Sequence, residues 1–169
     1  MRYTPAALAL ALLVAVSSST GFSAPATPLD PRAADLVAQG RAALLAGDTN
    51  GAIDAYEAAL AIQPGHVAIV LNLAEAARKH GMQGKALHYY RAALKLDPNN
   101  QYAIAGEGEA LVEKGALEKA KTNLARLQQL CGNTSCGPAR QLSAAIERGP
   151  TPQVVSAEAV ETKPVVSEN

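Results

Sequence analysis

The chain has no tryptophan, one phenylalanine and an aromatic fraction of 4%. A surface that stacks sugars or unpaired bases needs aromatic platforms, so that class is excluded. Neither charge is in surplus, with 15 Lys and Arg against 15 Asp and Glu. A chain devoted to nucleic-acid backbone or to an anionic membrane carries excess Lys and Arg. His66, His80 and His88 lack ligand spacing, and no His/Cys/carboxylate cluster suggests zinc. There is no strand pattern with a Gly-rich phosphate loop behind it. The serines lie mostly near the two ends, with no base to activate them. These gaps lead to an expectation of no enzyme activity, no metal and no cofactor. What is abundant is alanine, 36 of 169 residues, within a hydrophobic fraction of 49%. A chain of that kind is not wholly disordered, and its length suits one domain with tails.

Both ends read as lying outside that domain. Arg2 gives a short positive start, and Pro5 to Val16 is an apolar run followed by Ser17, Ser18, Ser19, Thr20 and Gly21. That layout is a secretory leader, too short for a span of roughly 20 apolar residues. Small residues place the cut before Ala24 or after Ala26, giving a leader over 1–26; an uncleaved anchor is the alternative. After cleavage no stable membrane insertion is expected. Residues 27–32 read as a linker. From Gly149 to Asn169 the prolines, small residues and scattered charge read as a disordered tail.

Between the ends the text repeats. Ala52, Tyr56, Ala59 and Pro64 recur 34 residues later as Ala86, Tyr90, Ala93 and Pro98. Gly40 and Ala74 hold one small-residue column at the same offset. A third copy starts at Gln101 and keeps Gly108, Gly115 and Ala120. It replaces the aromatic by Leu124, the small residue by Leu127 and the proline by Gly132. Apolar residues at three- and four-residue steps predict helices near 33–46, 51–62, 67–80, 84–96, 101–114 and 117–130. Gly47, Gly81 and Gly115 end the first helix of each pair, and Pro64 and Pro98 stop the second. Alanine at the crossing columns lets helices approach closely. A period of 34 marks a helix–turn–helix solenoid unit.

These columns resemble the tetratricopeptide repeat (TPR) family over about residues 33–134. The resemblance implies an all-α, right-handed solenoid of antiparallel helix pairs, with repeats near 33–66, 67–100 and 101–134. It also implies a concave groove, lined by the first helix of each pair, that holds a peptide or a partner helix. The implied groove residues are Val37, Arg41, Leu45, Leu71, Glu75, Arg78, Lys79, Tyr102, Glu109 and Glu113, together with Ala105, while Leu44 and Val112 lie nearer the core. Basic Arg41, Arg78 and Lys79 would then lie toward the first two pairs and acidic Glu109 and Glu113 toward the third, a polarity that orients a peptide of opposite charge order. At helical spacing Glu109 and Glu113 share a solvated face, with Glu107 pointing elsewhere. One subset of the family clamps chaperone C-terminal carboxylates. Of its positions only Asn72 matches, because Val37, Tyr102 and Gly106 occupy three others.

Cys131 and Cys136 follow the third copy at C-x4-C spacing. An exported chain meets an oxidising compartment, so a local disulfide is expected. A redox-active pair, metal binding and intermolecular pairing are the alternatives. Leu142, Ala145 and Ile146 mark a final helix near 138–147 that caps the stack. Together these features suggest a non-enzymatic adaptor or scaffold of the bacterial periplasm whose partner is another envelope protein or peptide segment. The alternative is a holder of unfolded exported chains, such as apocytochromes or outer-membrane precursors.

Overall fold

The computed structural model describes residues 28–132 and 136–150. Seven helices follow one another there: α1 (Pro31–Leu45), α2 (Thr49–Ile62), α3 (Val67–Lys79), α4 (Gln83–Leu96), α5 (Gln101–Glu113), α6 (Leu117–Cys131) and α7 (Gly137–Arg148). The described residues are thus all helix and turn, a solenoid of helix pairs. The expected leader lies outside them, as does the expected tail beyond Pro150.

The three pairs share one hinge chemistry. Gly47, Gly81 and Gly115 take φ of +81°, +83° and +76°. This left-handed turn costs glycine nothing sterically. Behind each glycine the chain makes the same two closing bonds. At the first hinge Asp48 N donates to Ala43 O at 2.9 Å and Gly47 N to Leu44 O at 3.2 Å. At the others Met82 N reaches Ala77 O and Ala116 N reaches Leu111 O. Two otherwise unpaired carbonyls are satisfied at each helix end. The second helices α2 and α4 stop two residues before Pro64 and Pro98, as proline and its restricted predecessor require.

The alanine columns are the seam. Ala52, Ala59, Ala74, Ala86, Ala93 and Ala120 have no exposed surface. Tyr56 and Tyr90 are buried beside them. Gly40 is buried because Tyr56 lies on it; a Cβ there would sit 2.5 Å from Tyr56 Cε1. In the third pair, where leucines replace the aromatic and small columns, Leu127 is fully buried in one cluster with Ala139 and Leu142 of α7. One amphipathic helix leaves room for the larger side chain that a full repeat would not. Gly108 admits Leu142, whose Cδ2 would lie 2.5 Å from a Cβ at that site. Cys131 and Cys136 are joined by a disulfide across the turn into α7.

The expected linker over 27–32 gives way to helix at its end. Pro31 and Arg32 are helical, because Asp30 caps α1 and accepts from Arg32 N at 2.9 Å, with proline at the favoured first position. Asp30 N also donates to Gln63 Oε1 at 2.9 Å, and Gln63 Nε2 donates to Pro28 O at 3.0 Å. Likewise α2 starts at Thr49 rather than at 51, because Asp48 accepts from Gly51 N at 2.9 Å.

Curvature follows from which helices touch. First helices contact one another, α1 with α3, α3 with α5 and α5 with α7. The second helices α2, α4 and α6 make no such contacts with one another among the described residues. The face where helices converge is concave, and it carries α3, α5 and α7 side by side.

Candidate functional site

Two adjoining cavities open on that concave face. The first, about 310 Å³, is walled by Leu71, Tyr90, Ala105 and Gly106, with Asn72, Glu75, Glu109 and Gln141 supplying polar atoms. Tyr102 stands at its mouth, 72% exposed. The second, about 340 Å³, lies further along the same helices, between Arg78, Lys79, Glu113 and Arg148.

A partly buried charge cluster separates them. Arg78 projects from the last turn of α3, and its side chain is only 15% exposed. Its Nε and Nη2 donate to the two Glu75 oxygens at 3.0 and 2.9 Å. Nη2 also lies 3.1 Å from Glu109 Oε2, and Nη1 2.5 Å from Glu113 Oε1. Tyr90 Oη donates to Glu75 Oε2 at 2.9 Å, and Gln83 Nε2 to Glu113 Oε2 at 3.4 Å. One guanidinium thus serves three carboxylates on two helices. The next cation, Lys79, keeps its Nζ 3.8 Å from Glu75 and is half-exposed.

Three of these groups, Arg78, Glu109 and Tyr90, are shifted by this company. Burial alone would lower the Arg78 pKa, but hydrogen bonds and charge from Glu75, with the charge of Glu109, push it far up. Burial raises the Glu109 carboxyl above the usual glutamate range, and Arg78 only partly offsets this. Burial, then the Glu75 charge, pushes the Tyr90 phenol well up, so it stays a donor.

The sequence-predicted groove residues divide. Leu71, Glu75, Tyr102 and Glu109 line the first cavity, and Arg78, Lys79, Glu109 and Glu113 the second. Val37 lines neither cavity: it is buried in the core among α1, α2 and α3. Leu45 is 91% exposed at the end of α1, and neither it nor Arg41 reaches these cavities. The expected separation of basic and acidic stretches fails, because stacking α5 on α3 brings Glu109 and Glu113 onto Arg78. The solvated acidic face fails for the same reason. Glu109 is buried, whereas Glu107 turns to the other side and pairs with Arg91 at 2.9 Å.

Gln141 and Arg148 are additions that the capping role of α7 conceals. Their spacing with Ala145, at four and three residues, puts all three on one helical face, and that spacing was a usable signal. Among the described residues, no group of three His, Cys, Asp or Glu side chains could hold a metal ion.

The match is to the tetratricopeptide repeat. Two models of that repeat fit, one over residues 43–82 and one over 68–100. The TPR domain of Sgt2 from Aspergillus fumigatus is 25% identical, with a TM-score of 0.64, and the alignment covers 81% of this chain and 98% of that one. The TPR2B domain of yeast Sti1, in its pHsp70 complex, is 19% identical at a TM-score of 0.63, covering 70% of this chain and 98% of that one. The Yersinia enterocolitica type III secretion chaperone SycD, in complex with a peptide of the translocator YopD, is 20% identical at a TM-score of 0.61, covering 68% and 89%. Likeness at these identities speaks to the fold. A search of curated proteins finds no match. The repeat that the resemblance placed on Tyr56 and Tyr90 thus has independent support over residues 43–100.

Proposed function

We propose that this chain is a non-enzymatic interaction module, exported to the bacterial periplasm, that acts as an adaptor or scaffold by seating a peptide segment or helix of an envelope protein in its concave groove. The observation that carries the reading is the mostly apolar cavity between α3 and α5, open at an exposed Tyr102. An exposed aromatic beside a preformed, mostly apolar cleft is the surface that small extended ligands use. The SycD structure, of the same fold, holds a peptide of its translocator. The apolar run over Pro5 to Val16 supports export, and the Cys131–Cys136 disulfide suits an oxidising compartment.

The test is photo-crosslinking in cells, with the reactive residue at position 102 and, as control, at Lys95 on the outer helix α4. A discrete adduct from position 102 and none from position 95 is expected. Equal labelling at both positions, or none at either, overturns the groove reading. A broad smear of masses from position 102 favours the unfolded-chain holder instead.

A further inference from the structure

The first cavity carries a charge that the chain itself leaves incompletely answered. Glu75, Glu109 and Glu113 surround Arg78, and Lys79 reaches only the outer edge of Glu75. The first cavity itself is lined by the carboxylates of Glu75 and Glu109 and, among the described residues, by no Lys or Arg. Glu109 is the telling member. Its side chain is 8% exposed, it lines the cavity beside Gln141, which favours its charged form only weakly against burial, and its Oε1 is buried with no well-formed hydrogen bond among the described residues. A buried carboxylate oxygen left unpaired is costly, commonly by more than a neutral group. A ligand that brings a donor and a positive charge to that oxygen removes the cost. The other walls suit the rest of such a ligand. Leu71, Ala105 and the Tyr102 ring offer apolar surface along which the methylenes of a long basic side chain can lie. An exposed tyrosine face also attracts a cation.

We propose that the cavity between α3 and α5 receives a lysine or arginine side chain of an extended partner segment, with the cation at Glu109 and Glu75 and the aliphatic stem along Leu71 and Tyr102. This deepens the groove reading above and rests on it. Charge complementarity of this sign rejects a terminal carboxylate, because an anion there would face Glu75 and Glu109 at close range.

The test is selection of short random peptides on the full chain, followed by titration of the selected peptides while backbone amide resonances of the protein are followed. The expected result is peptides that shift the signals of Tyr102 and Ala105 and carry a Lys or Arg. Changing that residue to Gln should weaken binding about tenfold, the scale of one charge-assisted contact. In Glu109→Gln the same peptide change should cost much less, because the contact is already lost. Glu75→Gln provides a second variant should Glu109→Gln fold poorly, which circular dichroism reports. Peptides that shift Tyr102 and Ala105 but prefer neutral or acidic residues overturn the cation site and leave the groove reading standing. Binding that bypasses Tyr102 and Ala105, or no selection of peptides at all, overturns both.

Discussion

The two ends of the solenoid use one repeat column for opposite purposes. Arg41, Glu75 and Glu109 occupy the same place at 34-residue intervals. Arg41 is exposed, Glu75 is half-buried and Glu109 is buried. The tyrosine column differs in parallel. Tyr56 lies against Gly40 in an apolar core, whereas Tyr90 directs its hydroxyl to Glu75. A repeat position therefore does not have a fixed environment. What stacks on it decides whether it is solvated, paired or sealed. Among the described residues the first repeat has no helix on its outer side beyond α1, while the third is closed by α7.

The comparison breaks most severely at Arg78. Replacing it in Arg78→Leu leaves three carboxylates facing one another, and a loss of about 3–5 kcal/mol is expected in urea unfolding. Arg41→Ala at the other end should stay within about 0.5 kcal/mol of wild type. Similar losses for the two variants would abolish the distinction between the ends. A smaller effect tests the apolar end. Gly40→Ala pushes a methyl group into the Tyr56 ring, and a loss of about 1–3 kcal/mol is expected. Gly84→Ala, within α4 and with nothing near its Cβ, should instead gain about 0.5 kcal/mol. A neutral Gly40→Ala would show that the ring moves aside freely.

The smallest effect is in pH. Burial raises the native pKa of Glu109, so between the ordinary glutamate value and that raised value the folded chain binds more protons than the unfolded one. The contribution of this site is then highest below the window and falls as the pH rises through it. Arg78 and Glu75 of α3, Glu113 of α5 and Gln141 of α7 are the groups that act on it. Plotting the difference in urea midpoint between wild type and Glu109→Gln against pH should give a slope in that window. A flat difference would mean that the burial is not felt as a charge cost.

Much of the architecture was legible in the sequence, because it rests on local rules. The glycine hinges, the prolines and the alanine columns each act within one helix or one turn, so period and residue type suffice. The helix starts at Pro31 and Thr49 were also written locally, in Asp30 and Asp48, though a reading led by apolar spacing passed over them. The site was less legible. Val37 and Leu71 share a column, yet one is sealed and the other lines a cavity. Glu109 became buried only through α3 on one side and α7 on the other, a meeting of three segments that no single window of sequence contains. Gln141 was hidden because a helix that closes a stack was read only as a lid.

That closing helix also sets a length. An extended segment laid across α3, α5 and α7 crosses two helix spacings of roughly 8–10 Å each. At about 3.3 Å per extended residue, it engages about five or six residues and then runs off the edge. The groove is in this sense a ruler, and α7 is the end at which the ruler stops.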